Sequence, residues 1–174
     1  MKIAVTGAHR TGKTTLVEML HEALPKYICK PEAYYELEET GHVFSEIPVL
    51  EDYILQLEHS ISQVTAPGDK VIFDRCPIDM LAYIRAVTEP ENFDIQSLFQ
   101  KVQNVMTKID LLIFVAIEDP DITGCQEYDL PELRQQVNEI LSEWIWDFNI
   151  DHIEVTGSSE ARRNQVLEHI SINN

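Results

Sequence analysis

Residues Gly7 to Thr14, reading GAHRTGKT, bring together the residue types that can hold a polyphosphate. Gly7 and Gly12 admit backbone angles closed to other residues, so the N–H groups of Ala8, His9, Arg10 and Thr11 can turn inward around an anion. Lys13 brings a mobile positive charge to the β- and γ-phosphates, and Thr14 offers a hydroxyl to Mg²⁺. Thr15 either caps the loop or touches the α-phosphate. Such a loop works only between a strand and a helix, because the helix start adds unpaired N–H groups and the positive end of its dipole. Both flanks are legible. Ile3-Ala4-Val5 is a short apolar run, and Leu16, Met19, Leu20 and Ala23 recur at helical spacing.

A second segment carries chemistry at its end. Val71-Ile72-Phe73-Asp74 is an apolar run closing on an acid, the form of a strand whose carboxylate holds a magnesium shell. Arg75 follows at once, where ligands sit in open α/β sheets, and can bridge a nucleotide phosphate and a substrate phosphate or hydroxyl. Thr107-Lys108-Ile109-Asp110 mimics a guanine-reading motif, but that motif follows an apolar strand and here it precedes one. ATP with Mg²⁺ is therefore the expected ligand.

The elements that must position these groups alternate. Five stretches read as buried parallel strands: 2–6, 27–30, 70–74, 110–117 and 152–155. Helical patterns lie between them, which predicts a three-layer α/β/α fold around a five-stranded parallel sheet. In the clearest helix Leu50, Ile54, Leu57, Ile61 and Val64 form one stripe, with Tyr53, Gln56 and Ser60 on its flank. Pro77 opens another helix, ahead of Met80, Leu81 and Ile84, and Thr88-Glu89-Pro90 stops it. Ile95, Leu98, Phe99 and Val102 carry the next. A later one uses Leu133, Val137, Ile140, Leu141, Trp144 and Phe148, with Asp129 and Glu132 spaced like a capping box. The last follows Gly157, with Val166, Leu167 and Ile170 inward. No repeat or linker interrupts residues 1–174, so a single domain is expected.

Composition narrows the partners. The formal net charge of −17 over 174 residues repels phosphate backbones and anionic lipids, which argues against nucleic-acid or membrane binding. It also makes the cations of His9, Arg10 and Lys13 beside the loop conspicuous. Three widely spaced cysteines, Cys29, Cys76 and Cys125, read as reduced thiols, and with no leader or membrane-length apolar run the expected location is cytoplasmic.

With GAHRTGKT and FDRCPID in hand, the chain resembles the nucleoside and nucleotide kinases of the P-loop NTPases, and is most similar to the small domains like nicotinamide riboside kinase. The resemblance spans nearly the whole chain, though only the P-loop is highly specific. It implies ATP- and Mg²⁺-dependent phosphoryl transfer to a nucleoside-like or other small hydroxylated acceptor. It implies that Glu32, in Lys30-Pro31-Glu32-Ala33, is the general base, the bland alternative being a solvated acid in an acidic loop. Gln56 would read the acceptor's base or be a surface amide. Arg75 would orient the acceptor. Asp79 would pair with Arg75 or contact the acceptor, unless it only caps the helix at Pro77. Gly157, in Thr156-Gly157-Ser158, resembles the loop that packs near adenine.

One segment departs from that family. Its members carry arginines after the fourth strand that clamp the moving phosphoryl group, whereas Glu118 to Glu132 contains no Lys or Arg. Either Arg134 folds over the γ-phosphate, a protein partner supplies the charge, or Arg10 substitutes. A regulatory ATPase or nucleotide-dependent switch acting with a partner is the competing expectation. A homodimer is a further one, since the Trp144 and Trp146 region reads equally as interface or core.

Overall fold

Strands β1 (Lys2–Thr6), β2 (Ile28–Lys30), β3 (Val71–Asp74), β4 (Leu111–Phe114) and β5 (His152–Glu154) form one all-parallel sheet in the order β2-β3-β1-β4-β5. The structure is a computed structural model, described here for residues 1–88, 93–118, 121, 126 and 130–172. The connecting helices are α1 (Lys13–Ala23), α2 (Ala33–Glu39), α3 (Leu50–Thr65), α4 (Pro77–Val87), α5 (Ile95–Met106), α6 (Pro131–Trp144) and α7 (Ser159–Ile172).

Alternation along the strands makes the layers. Ile3, Val5, Ile72, Leu111 and Ile113 face α1 and α7, packing with Leu16, Leu20 and Val166. Ala4, Phe73, Leu112 and Phe114 point the other way, into a larger core with α3, α4, α5 and α6. Every central strand is thus apolar on both faces, the signature of a parallel sheet covered by helices. The expected α/β/α sandwich is the one found.

The strand predicted over 110–117 is shorter, ending at Phe114. Its neighbours β1 and β5 stop at Thr6 and Glu154, so the ladder has little left to pair with beyond Val115, whose N–H reaches Thr6 O at 2.9 Å. Tyr27, Lys70 and Val155 likewise fall just outside strands. Asp110 sits at the amino end of β4, where its N–H donates to Lys2 O at 2.9 Å, on the opposite edge of the sheet from the phosphate loop.

Helix α3 is turned away from its apolar stripe. Leu57 and Val64 are buried, but Leu50, Ile54 and Ile61 are only half-buried, while Tyr53, Gln56 and Ser60 are buried. The helix packs mainly against α4, which buries the polar flank. Helix α2 falls in a stretch that reads as acidic loop. Glu36 on it accepts from His59 Nε2 (2.7 Å) and Gln63 Nε2 (3.0 Å) of α3. The helix expected to include Phe148 ends at Trp144, and Phe148 is buried in the turns beyond it. Asp129, half of the expected capping box, lies outside the described residues, and α6 instead opens on Pro131. The two tryptophans divide: Trp144 packs edge-on against Phe99, whereas Trp146 is 72% exposed. Cys29 and Cys76 are free thiols, and Cys125 lies outside the described residues.

Candidate functional site

Strand β1 runs between β3 and β4, which leave it in opposite directions, so its carboxyl end opens on the crevice where such sheets bind ligands. The loop from Gly7 to Gly12 fills that crevice and feeds α1. Its glycines are where the chain needs them. Gly7 has φ +151°, and a Cβ there would lie 2.4 Å from Val115 O. Gly12, at φ +88°, caps α1, and a Cβ would meet Arg162 Nη1 at 3.2 Å. Gly7→Ala is therefore expected to lower the unfolding free energy by about 3 kcal/mol, through backbone collision and strain together, as read by denaturant titration.

Side chains from three helices brace this loop from behind. Asp79 of α4 is 0% exposed and accepts from Gly7 N (3.0 Å) and Cys76 N (2.9 Å). The second bond caps α4 while the first holds the loop. Asp79 also lies 3.7 Å from Arg75 Nη1. Of the expected roles, the pairing with Arg75 and the helix cap are the ones this geometry displays, and Asp79 is on the lining of neither of the two cavities described below. Arg134 of α6 donates to His9 O (2.9 Å), Arg10 O (3.1 Å) and Asp121 Oδ2 (2.7 Å). Arg162 of α7 donates to Thr11 O (2.6 Å) and Glu118 Oε1 (2.8 Å), and that carboxylate also accepts from Gly157 N at 2.7 Å. Gly157 is thereby tied to the far end of the loop.

The remaining charged groups converge in front. Lys13 is 4% exposed and its Nζ donates to Ala8 O at 2.6 Å. Burial and the nearby Arg75 push its pKa down to about 7, against the upward pull of Glu32, Asp79 and Asp74. Arg75, at φ +70°, is turned back over the site. Its Nε donates to Glu32 Oε2 at 2.6 Å, its Nη1 donates to Gly7 O at 3.1 Å, and its guanidinium lies 5.6 Å from the Tyr83 ring. Burial raises the Glu32 carboxyl, but Arg75 and Lys13 outweigh it and hold the group below the usual carboxylate range. Asp74 is shifted the other way, upward, by burial and by Glu32, with the Thr14 hydroxyl bonded to it as an opposing influence.

Asp74 Oδ1 is buried with no hydrogen-bond donor among the described residues. An orphaned carboxylate oxygen is costly to bury unless something positive meets it. With Thr14 beside it, the pair fits a magnesium site, a hard cation taking oxygen ligands and substrate phosphates. Among the described residues no cluster of three His, Cys, Asp or Glu side chains forms a separate metal site.

Two cavities meet here. One, of about 400 Å³, is lined by Arg10, Gly12, Lys13, Thr14 and Thr15, together with Tyr35. The other, of about 350 Å³, is lined by Gln56, Tyr34, Tyr53, Tyr83, Glu46 and Ile47 among others. His9, Glu32 and Arg75 form the wall common to both.

Sequence patterns carry no hint of Tyr83, which lines the aromatic cavity and holds His9 of the shared wall. Its hydroxyl accepts from His9 N (3.0 Å) and lies 2.8 Å from His9 Nδ1, while its ring stacks on Tyr53 at 5.1 Å. It sits one turn after Met80 on α4, so its spacing was indistinguishable from that of a core residue. Tyr83→Phe keeps the stack but removes the hydroxyl that accepts from the His9 N–H. A loss of about 1–2 kcal/mol in stability is expected, together with weaker nucleotide binding, as read by thermal unfolding and nucleotide titration.

This parallel sheet, with a phosphate-type loop at the end of its central strand, is a P-loop, nucleoside-kinase-like fold. The chain belongs to the AAA domain family, whose sequence profile matches residues 2–162. No curated protein is matched. Among solved structures, deoxyadenosine kinase from M. mycoides is similar over 100% of both chains, with TM-score 0.69 and 16% identity. The NadR protein in complex with NR is similar over 97% of this chain and 50% of that one, with TM-score 0.73 and 19% identity. Thymidylate kinase from Candida albicans matches 99% of this chain and 91% of its own, with TM-score 0.67 and 18% identity. At such identities the likeness is one of fold. Among the described residues no helix is long and apolar enough to cross a membrane.

Proposed function

We propose that this protein is a kinase that transfers the γ-phosphoryl group of ATP to a hydroxyl of a small, nucleoside-like acceptor. The observation that carries this reading is the shared wall: Glu32 and Arg75, joined at 2.6 Å, stand between a loop cavity and an aromatic one. In this reading the backbone from Gly7 to Gly12 cradles the triphosphate, and Lys13 leaves Ala8 O to neutralise the β- and γ-phosphates. Asp74 and Thr14 hold Mg²⁺, which supplies further neutralisation of the leaving phosphates. Arg75 orients the acceptor, and Glu32 takes the hydroxyl proton as the oxygen bonds to phosphorus and the bond to the β–γ bridging oxygen breaks. Glu32 Oε2 is engaged by Arg75, which leaves Oε1 for that proton. Gln56, on the aromatic cavity's wall, is suited to reading the acceptor's base.

A second reading, a nucleotide-dependent switch completed by a protein partner, is favoured by one observation. Residues 118–132 contain no Lys or Arg, and Arg134 and Arg162 spend hydrogen bonds on loop carbonyls. Incubation with γ-labelled ATP and Mg²⁺ across a panel of nucleosides, nicotinamide riboside included, separates the two. Labelled acceptor is the kinase result; label released only as inorganic phosphate is the switch result. Failure to bind ATP or GTP with Mg²⁺ would overturn both.

A further inference from the structure

We infer that the acceptor enters without a phosphate group, as a nucleoside rather than a nucleotide, so that the product is a phosphomonoester and not a diphosphate. This rests on the kinase reading above and deepens it. The ground is the distribution of charge around the aromatic cavity.

The chain has 13 Lys and Arg residues, every one of them among the described residues, and only Arg75 lines that cavity. Arg75 is already matched: Glu32 lies 2.6 Å from its Nε and Asp79 3.7 Å from its Nη1. Lys13 and Arg10 line the neighbouring cavity, at the loop, where a triphosphate needs them. Arg134 and Arg162 donate to carbonyls on the loop's outer side. The same aromatic cavity carries two carboxylates, Glu32 on its wall and Glu46 at its exposed mouth.

Proteins that bind a phosphate monoester meet its charge with several charge-assisted donors, usually forked arginines. Here an incoming phosphate would have to take Arg75 from Glu32, leaving that carboxylate facing a second anion. Juxtaposed like charges of this kind discriminate strongly against the wrong ligand. Three tyrosines, Tyr34, Tyr53 and Tyr83, are among the lining residues, an aromatic wall that suits instead a flat group that is neutral or positively charged.

The wall chemistry points the same way. A phosphate monoester is already anionic at neutral pH and needs no base to attack phosphorus, whereas an alcohol must lose its proton as the new O–P bond forms. Glu32 stands on the wall common to both cavities, where an acceptor proton can be received. In balance, the alcohol oxygen gains the phosphoryl group, its proton goes to Glu32, the β–γ bridging P–O bond breaks, and ADP departs.

The test is a matched panel. The full chain is incubated with Mg²⁺ and γ-labelled ATP or GTP, and with adenosine, cytidine, thymidine and nicotinamide riboside. Each is set against its own 5′-monophosphate at equal concentration. Label is expected on at least one nucleoside, with its monophosphate turned over ~100-fold more slowly or not at all, the scale of an uncompensated like charge. A monophosphate labelled as fast as its nucleoside, or faster, would overturn the inference and the hydroxyl as acceptor, while leaving phosphoryl transfer from ATP to a small nucleoside-like molecule in place. Label on no member of either arm removes the kinase reading and this inference with it.

Discussion

Lys13→Ala is expected to lower turnover by about 10²–10³-fold, or roughly 3–4 kcal/mol, the scale of deleting one preorganised donor from a charged transition state. The side chain is nearly enclosed and, among the described residues, its ammonium donates only to a carbonyl, Ala8 O. That poise has a pH signature. With its pKa pushed down to about 7, the lysine can lose its proton near neutral pH before nucleotide arrives. A triphosphate at the loop favours the charged form, so binding near neutral pH should be accompanied by proton uptake. Nucleotide affinity should then fall as pH rises above 7. For stability the sign is opposite to that of an ion-paired lysine. A depressed folded-state pKa works against folding most strongly below 7, and less so as pH climbs toward the unfolded value near 10.5. Calorimetry in two buffers of different ionisation enthalpy measures the uptake, which should vanish in Lys13→Ala. Undiminished turnover in that variant would remove the lysine from the reaction.

Glu32→Gln should be comparably severe but different in kind. Loss of a general base lowers kcat by about 10²–10⁴-fold, while nucleotide affinity should change little because the loop and Lys13 are untouched. The amide oxygen can still accept from Arg75, so the arginine's position is expected to survive. In the wild type, Arg75 and Lys13 keep Glu32 ionised below the usual carboxylate range despite its burial. The sign follows: activity that needs this carboxylate persists through mildly acidic pH and is lost only as pH falls through its lowered pKa. Steady-state kinetics as a function of pH, with nucleotide binding measured separately, checks both statements. A kcat within about tenfold of wild type would assign the base role elsewhere.

How much of the site was legible depends on how local its physics is. The phosphate loop requires residue types at fixed spacing within one stretch of chain, so Gly7, Gly12, Lys13 and Thr14 could be read directly. Asp74 and Arg75 were visible because an apolar run ending in an acid marks a strand end. Asp79 was ambiguous, since a helix cap and a ligand contact look alike in sequence. Its burial beneath Gly7 makes it a cap and a loop brace at once. Tyr83, Arg162 and Glu118 carried no usable signal, because the hydrogen bonds that tie each to the site reach partners 39 or more residues away. Helix α2 was missed for a related reason: its acidic residues find partners on α3, which no local propensity could reveal.

The layered fold follows from chemistry written along the chain. Doubly apolar strands can be buried only in a parallel sheet with helices on both faces, and a glycine loop between strand and helix can cradle only an anion. Which side of α3 turns inward, and therefore that Tyr53 and Gln56 rather than Leu50 and Ile54 help wall a cavity, was settled by packing against α4. So was the meeting of Glu32 with Arg75 across 43 residues of chain. Period and residue type act over a few residues at a time, whereas the choice of partner is an energy balance among elements that meet only once the sheet has closed.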